Sequence, residues 1–546
     1  MTLSSNLMFI DKARSGINFG CSRNPATSNA LNLAARNNDV ANVERLLQKI
    51  NPNCIDNRGW TCLHEAAYND SYESVLLILK DPRCRPLAET HEGHTTLYLA
   101  CKNKCSLKTV TALLNSADDI ANYGSTEGVT PLHIATSQGS VQLIQLLLEY
   151  GAIIDVQDFD GDTPLHDSVL AIQNESLVTL LYAGADPEIK NEPGCFTPFH
   201  LACCRGYYPN VVSLYPFVTD INEVTATGDS PLTLALQGLN EDIVNFLIEH
   251  GADPHIKNNY GEQAIDIALS VDCSIELFTK LFSITNTQQL NPYIILNACK
   301  PHYFKFEILE MLLTSDLGPE FFNFAEPFNK DLTLHDEQSY LTNAPLNSYL
   351  KICGYIYKKS PEKFREFFYL FLMRGVEVNP TDVSVCPPLV YAHHVNTSCF
   401  QEVFEILLEH GCNVDYSSSI AWTTKCVPDA FYASINVYPS SLPILIPYSI
   451  FCEPADVLQM AYERGVLGII PPQVQRELLT MLDCDLQIVT AENLQYHVLS
   501  LKHLCRYKIR GMLRNIKGGI RSTQKFLSVL DSIPIPKLLK NYLRYM

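Results

Sequence analysis

The sequence predicts an all-α protein built from helix-turn-helix repeats, followed by a small helical region at the C-terminal end. A four-residue signature of the Thr-Pro-Leu-His type recurs along the first half of the chain, and an apolar run follows most copies at helical spacing. The copies begin at Thr61, Thr95, Thr130, Thr163, Thr197 and Ser230, and a weaker copy begins at Gln263. Successive copies lie 33 to 35 residues apart, which favours one stack of similar units over several unrelated domains.

Each part of the repeat has a physical role. The threonine can cap a helix, and the proline suits the first helical turn, where no amide hydrogen is required. The apolar run, for example Leu143–Leu148, predicts a second helix that ends at Gly151, where glycine can adopt the left-handed backbone that closes a helix. Turn sequences such as Asp56–Gly59 and Asp158–Gly161 separate the repeats. A single unit cannot bury its own apolar face, so neighbouring units are expected to stack.

The repeats divide the chain into four predicted regions. We expect an N-terminal leader at 1–27 and about ten to eleven repeats over 28–416, the later ones degenerate and interrupted by an insertion near 318–345. Residues 417–490 show no period and predict a helical linker, and residues 491–546 form the C-terminal region.

The charge of the chain argues against a nucleic-acid partner. The formal net charge is −19, whereas phosphate contacts need clustered Lys and Arg. Residues 497–546 are an exception, with eleven Lys and Arg and a single acid, Asp531. A nucleic-acid arm is the alternative interpretation of this basic region. Its periodic apolar positions, without regularly interleaved aromatic residues, favour a helical surface that faces solvent or a protein partner.

The cysteine content and the hydropathy predict an intracellular protein without a membrane segment. The nineteen cysteines are spread over the whole chain, and the first residues show no basic region followed by an apolar run. We therefore expect reduced thiols in the cytoplasm, and the nucleus as a second compartment. The most apolar window, Leu442–Phe451, is too short to span a bilayer and is broken by Pro443 and Pro447.

No group of residues predicts catalysis, a cofactor or a metal site. The histidines at 64, 133, 166 and 200 recur at one position of the repeat, which indicates a structural role with local hydrogen bonds. Cys203 and Cys204 lack a second ligand pair at zinc spacing, and small buried thiols are the ordinary alternative. Nucleotide-binding and hydrolase motifs are absent from the sequence. We expect a protein that is not an enzyme.

Some residues at the turns and helices suit contact with a protein partner. Aromatic and Arg side chains dominate the energies of protein interfaces, although aromatic residues also pack between repeats. The candidate substrate-binding residues are Arg58, Trp60, Tyr68, Phe159, Asp160, Tyr207, Tyr208 and Tyr260.

The C-terminal region holds two further motifs. Leu501, Cys505 and Ile509 are spaced i, i+4 and i+8, so together with Leu504 they form an apolar stripe on a predicted helix. An ordinary amphipathic helix that covers the end of the array is the alternative. About 25 residues later come Ile533, Pro534, Ile535 and Pro536, whose prolines hold the backbone extended and stiff.

Thr-Pro-Leu-His at a period near 33 is typical of ankyrin repeats. Together with Ser-Leu-x-x-x-Cys-x-x-x-Ile at 500–509 and Ile-Pro-Ile-Pro at 533–536, it resembles the ankyrin repeat and SOCS box (ASB) family. The resemblance implies an ankyrin-repeat solenoid followed by a helical SOCS box. It also implies that Leu501, Leu504, Cys505 and Ile509 bind elongin C, within the elongin B/C heterodimer. The proline motif at 533–536 would recruit cullin-5 with its RING protein, although the family motif usually begins with Leu where this chain has Ile533.

These expectations define an adaptor. We expect a substrate-recognition subunit of an elongin B/C–cullin-5 RING ubiquitin ligase, which holds an unknown protein substrate on its repeats. The alternative is a ligase-independent ankyrin scaffold for protein–protein interaction, whose C-terminal helices only cap the stack, because solenoids need polar capping ends.

Overall fold

The computed structural model describes residues 29–271, 273–325, 344–380, 385–394, 399–414, 434, 439–446 and 470–481. The described residues form helices and turns, and the described ranges contain no strand. The all-α prediction is confirmed there. The chain divides into two compact units, Met1–Ala268 and Leu269–Met546.

The first unit is a series of short helix pairs. Its helices are α1 (Ala30–Arg36), α2 (Val40–Leu47), α3 (Cys62–Tyr68), α4 (Tyr72–Leu79), α5 (Thr96–Lys102), α6 (Leu107–Leu114), α7 (Pro131–Ser137), α8 (Val141–Glu149), α9 (Pro164–Leu170), α10 (Asn174–Tyr182), α11 (Pro198–Arg205), α12 (Tyr208–Leu214), α13 (Pro231–Gln237) and α14 (Glu241–Glu249). Helix α15 (Ala264–Ser270) runs across the boundary between the two units. The first helices of successive repeats pack on one another, and most of the second helices do the same. We call these two rows the inner and the outer helices.

The predicted threonine caps begin the inner helices. In α7 the Thr130 amide donates to Nδ1 of His133 at 3.1 Å, and in α11 the Thr197 amide donates to Nδ1 of His200 at 3.1 Å. The backbone amide of each histidine in turn donates to the threonine hydroxyl oxygen, so each pair forms a reciprocal capping box. Proline occupies the first turn of both helices, as the signature predicts.

The same two histidines also join their own repeat to the next. Nε2 of His133 donates to the Asp162 carbonyl at 3.0 Å, and Nε2 of His200 donates to the Glu223 carbonyl at 2.8 Å. Because Nδ1 accepts and Nε2 donates, each ring is neutral with its hydrogen on Nε2. Burial lowers the pKa of His200 to about 4, which keeps the ring neutral at physiological pH. The prediction of structural, locally bonded histidines is confirmed.

Tight turns project between the repeats, and we call them finger turns. They comprise residues 56–60, 90–94, 125–129, 158–162, 191–196, 225–229 and 258–262. In each turn the amide of the first residue donates to the carbonyl of the last, as from Asp158 to Asp162 at 3.0 Å. The first side chain also accepts from amides inside the turn; Asp158 Oδ1 lies 3.0 Å from the Asp160 amide and 2.9 Å from the Asp162 amide.

Backbone hydrogen bonds connect neighbouring finger turns. They run from His91 to Arg58, Phe159 to Glu127, Glu192 to Asp160, Ala226 to Gly194 and Asn259 to Thr227, with N···O distances of 2.9 to 3.1 Å. The close approach requires glycine at the fourth position of several turns. Gly161 has φ of +74°, and a Cβ atom there would lie 2.8 Å from the Glu192 backbone nitrogen.

Gly161 and Gly151 allow the cost of left-handed backbone to be separated from the cost of a steric clash. Gly151 also has positive φ, +81°, but a Cβ atom there would meet nothing within 4 Å. We predict that Gly151→Ala lowers the free energy of unfolding by about 1 kcal/mol, the cost of left-handed backbone. Gly161→Ala should cost about 1–3 kcal/mol more, because its methyl group collides with the next finger turn. Urea unfolding of both variants measures the difference, and equal losses would contradict the steric argument.

The second unit has longer helices and an aromatic core. Its helices are α16 (Ile275–Ile284), α17 (Ile294–Ala298), α18 (Phe306–Thr314), α19 (Pro319–Asn323), α20 (Pro345–Lys359), α21 (Pro361–Met373), α22 (Pro388–His394), α23 (Phe400–Glu409), α24 (Leu442–Leu445) and α25 (Pro472–Met481). Helices α17, α20 and α22 contact one another in that order, and α18 contacts α21. Tyr349, Phe364, Phe367, Phe368 and Phe371 are fully buried between α20 and α21, and the Tyr349 hydroxyl donates to the Phe364 carbonyl at 2.8 Å.

One hydrogen-bonding device occurs in both units. In the first unit Asn122 donates to the Gly151 carbonyl at 3.1 Å and accepts from the Ile153 amide at 2.7 Å. In the second unit Asn379 bonds the Gly411 carbonyl at 2.8 Å and the Asn413 amide at 2.6 Å. The Asn side chain thus fastens the end of an outer helix to the preceding repeat. Much of the predicted insertion, residues 326–343, lies outside the described residues.

Candidate functional site

The structure places the candidate substrate-binding residues of the first unit in three groups. Arg58, Trp60 and Tyr68 lie together at the first finger turn. Phe159, Asp160 and Tyr260 lie at the tips of two later finger turns, and Tyr207 and Tyr208 begin the outer helix α12.

The first group is organised by buried charges. The Arg58 guanidinium donates to Asp56 Oδ2 from Nη2 at 2.7 Å and also pairs with Glu65, whose side chain is 1% exposed. Arg36 holds the same Glu65 through two hydrogen bonds of 2.8 and 2.9 Å. The guanidinium also lies 4.0 Å from the centre of the Trp60 ring. Arg58 therefore works inside the fold, with only 10% of its side chain exposed.

The electrostatics of Asp56 agree with this arrangement. Burial by itself raises the pKa of Asp56, but hydrogen bonds from the Trp60 amide and from Arg58 outweigh it. The net pKa lies below its ordinary value, so the carboxylate stays ionised and bonded to Arg58. Trp60 in turn meets the Tyr68 ring edge-on at 5.2 Å, which fixes both aromatic side chains.

We predict that Arg58→Ala destabilises the first unit. Without the guanidinium, the buried carboxylates of Asp56 and Glu65 lose a positive partner. The free energy of unfolding should therefore fall by about 2–4 kcal/mol. Arg45→Ala is the matched control, because Arg45 is exposed and bonds only Asn42 among the contacts described. It should change stability by less than about 0.5 kcal/mol. Unchanged stability of Arg58→Ala would contradict the internal role of Arg58.

The second group is available to a partner. Phe159 is 80% exposed and Tyr260 is 75% exposed, although the finger turns that carry them are held by backbone hydrogen bonds. A rigid turn presents such a ring with little loss of entropy on binding. Exposed carboxylates of Glu92, Glu127 and Asp160 occupy neighbouring tips.

A buried carboxylate cluster lies beneath one of these tips. Asp162 and Asp167 are buried beside the half-buried Asp158, and Asn191 donates to Asp162 Oδ1 at 2.9 Å. Burial, followed by the neighbouring charge of Asp162, raises the pKa of Asp158 to about 6. The ionised form of Asp158 is therefore disfavoured in the folded chain.

Another finger turn suggests a substitution that tests how much the ionised form of Asp158 lowers the free energy of unfolding. Asn258 occupies the equivalent position of the last finger turn and accepts from the Tyr260 and Glu262 amides at 3.0 Å each. We predict that Asp158→Asn keeps the turn and raises the free energy of unfolding by about 1–2 kcal/mol at pH 7. Because the folded pKa is raised, the wild type loses this stability as pH rises from about 4 to 6. The gain of the variant should therefore vanish near pH 4.

Urea unfolding at pH 4 and at pH 7 measures the effect of Asp158→Asn. Asp160→Asn is the control, because Asp160 is exposed at the same tip. A gain that does not depend on pH, or an equal gain in the control, would contradict the assignment to Asp158.

The third group belongs to a surface that sequence reasoning missed. Tyr208 meets the Phe246 ring edge-on at 6.0 Å, Tyr215 meets Phe246 at 5.4 Å, and Tyr182 meets Phe217 at 6.1 Å. We call Tyr182, Tyr208, Tyr215, Phe217, Phe246 and His250 the aromatic patch. It lies along the outer helices α10, α12 and α14. The signal was present in the aromatic residues at 207–208 and 215–217, but only the fold brings Tyr182 and Phe246 beside them.

The described ranges also bear on metal and membrane binding. In them no three His, Cys, Asp or Glu side chains are grouped so that they could hold a metal ion. Of the helices in the same ranges, none is long and apolar enough to cross a bilayer.

The predicted ligase contacts cannot be placed in this geometry. Leu501, Leu504, Cys505, Ile509 and the proline motif at 533–536 lie outside the described residues. They remain predictions from the sequence.

Comparison with family models assigns two parts of the chain. The ankyrin-repeat model matches overlapping segments that extend from residue 12 to residue 291, just over half of the chain. The SOCS-box model matches residues 497–544. The repeats and the terminal box together define a class of non-catalytic adaptor proteins. The chain belongs to the ankyrin repeat and SOCS box family, which confirms the resemblance and the predicted fold class.

Individual relatives share only part of their length with this chain. The mouse B-cell lymphoma 3 protein homolog is 32% identical over 220 residues, which cover 38% of this chain and 47% of the relative. The human transient receptor potential cation channel subfamily A member 1 is 26% identical over 245 residues, or 44% of this chain and 19% of the channel. The yeast target of rapamycin complex 2 subunit AVO2 is 36% identical over 129 residues, or 23% and 30%. The chain therefore spans less than half of each relative.

Proposed function

We propose that this chain is the substrate-recognition subunit of an elongin B/C–cullin-5 RING ubiquitin ligase. One observation carries the proposal: ankyrin repeats matched from residue 12 and a SOCS box matched at 497–544 occur in the same chain. Ankyrin repeats with a SOCS box support a substrate-recognition adaptor for cullin-RING ligases in general. The choice of elongin B/C and cullin-5 rests on the two motifs of the C-terminal region.

The two motifs have separate roles in the proposal. Leu501, Cys505 and Ile509 form the apolar stripe that enters a groove of elongin C, with Leu504 packed beside them. Cysteine suits such a tight contact because it is a small hydrophobic residue. The extended segment Ile533–Pro536 then offers its isoleucines to cullin-5 with little ordering entropy.

The repeats supply the substrate surface in this proposal. The finger-turn row of the first unit supports it, because its backbone is rigid while Phe159, Asp160 and Tyr260 are exposed. The chain itself contributes proximity and orientation, and its partners make the isopeptide bond. We place this activity in the cytoplasm, with the nucleus as a second compartment, where nineteen cysteines remain reduced.

The first test addresses elongin binding. We predict that the wild-type chain co-expressed with elongins B and C elutes from size-exclusion chromatography as one stoichiometric complex. Leu501→Asp should remove elongin B and C, because loss of one buried leucine anchor costs about 2–4 kcal/mol, roughly thirtyfold to a thousandfold in affinity. His503→Asp is the matched control, since it introduces the same charge two residues from Leu501 at a position outside the stripe, and it should keep the complex.

The alternative, a ligase-independent scaffold, predicts a different result. Leu501→Asp would then lower the melting temperature of the repeats and remove no partner. Failure of a well-folded wild type to bind elongins B and C would contradict the ligase proposal.

The second test separates the two motifs. We predict that Ile533→Ala combined with Pro536→Ala leaves elongin binding intact and weakens cullin-5 capture, because the prolines and isoleucines face only the cullin. Pull-down of purified cullin-5 by the preformed elongin complex measures this. Equal loss of both partners would contradict the separate roles.

A further inference from the structure

The aromatic patch exposes more ring surface than packing between repeats requires. Tyr182 is 82% exposed at the end of α10, Tyr208 is 42% exposed at the start of α12, and Phe217 is 37% exposed after it. Val212, also on α12, is exposed as well. Groups of exposed apolar side chains of this kind mark sites of protein interaction.

Three rings of the patch are held in place before any partner arrives. Phe246 is stacked on His250, with ring centres 4.0 Å apart, and Tyr215 meets both of these rings. His250 is fixed in turn by a 2.7 Å hydrogen bond from Nδ1 to the Phe246 carbonyl. Fixed rings lose little rotamer entropy on binding, so the patch is suited to contribute affinity.

The charge around the patch selects the partner. The outer helices α10, α12 and α14, which carry the patch, contain four Asp and Glu and no Lys or Arg, and the whole stretch 174–257 contains eleven Asp and Glu but only three Lys and Arg. One of these three, Lys190, is already paired with Glu223. Glu188 lies directly beside the patch, because its Oε1 accepts from the Thr219 amide at 2.8 Å and from the Thr219 hydroxyl at 3.1 Å, two residues after Phe217.

The C-terminal ends of two outer helices add to the negative charge around the patch. Helices α10 and α14 are corresponding outer helices and end at Tyr182 and Glu249, next to exposed rings of the patch. The C-terminal end of a helix carries partial negative charge and favours cations. The faces of Tyr and Phe rings favour cations for a related reason, the negative face of their quadrupole.

We propose that the aromatic patch binds a basic segment of a partner protein through its Arg and Lys side chains. The cations lie over the exposed rings of Tyr182 and Phe217, and the surrounding carboxylates pair with the remaining positive charges. This binding goes beyond the proposed ligase function, since it involves neither the SOCS box nor elongin. It also differs in place from the finger turns, where Phe159 and Tyr260 are the exposed rings.

Fluorescence anisotropy with labelled peptides tests the proposal on the full chain. Three 12-residue peptides carry Arg, Lys or Glu at every third position, with Ser and Gly between. The Arg and Lys peptides should bind at low salt and weaken as salt rises, and the Glu peptide should not bind. Tyr182→Ala should weaken binding of the Arg peptide by about twofold to thirtyfold, the range that one cation–π contact contributes.

Tyr355→Ala is the control, since it removes an exposed ring on α20 that lies one helical turn from Lys351 and Lys359 and not among carboxylates. It should leave peptide affinity unchanged. Tyr182 is almost fully exposed, so its removal should keep the melting temperature, which circular dichroism checks. Three results would overturn the proposal: no binding of the Arg and Lys peptides, preference for the Glu peptide, or equal loss in both variants.

Discussion

The buried, neutral histidine at the start of four inner helices, α3, α7, α9 and α11, is the interaction on which the first unit most depends. In one ring, Nδ1 caps its own helix and Nε2 bonds the carbonyl of the next repeat, as His133 does with Thr130 and Asp162. Helix capping and repeat stacking are therefore coupled through a single side chain. Protonation would remove the acceptor at Nδ1, and burial opposes it by lowering the pKa of His64 and His200 to about 4. The histidine of the repeat signature therefore makes hydrogen bonds both within its own repeat and to the next one.

Because this coupling holds the repeats together, the side chains at the tips of the finger turns can be replaced without loss of the fold. Backbone atoms join the finger turns to one another, so the side chains at their tips carry little of the stability. Phe159, Asp160 and Tyr260 can face a partner for that reason, whereas Arg58 cannot be replaced freely because it neutralises Asp56 and Glu65. The outer helices offer a second surface, the aromatic patch. A substrate receptor needs such separation, because its recognition surface must change between targets while its frame stays constant.

The sequence predicted the repeated features well and the contacts between distant residues poorly. Period, caps and helix ends follow from local rules, so the inner helices begin at the predicted threonines and outer helices end at glycines such as Gly151. Arg58 was interpreted as a partner contact because no local pattern shows that Glu65 and Arg36 converge on it. The raised pKa of Asp158 was also unpredicted, since it depends on burial beside Asp162. Tyr182 and Phe217 are 35 residues apart and meet only through stacking of repeats.

The central claim is that one end of the chain binds the ligase while the repeats remain available to a substrate. Hydrogen–deuterium exchange of the full chain with and without elongins B and C tests this division most directly. The account predicts new protection confined to residues 497–544, with the finger turns and the aromatic patch unchanged. Protection of amides within residues 29–268 on elongin binding, or none at 497–544, would contradict it.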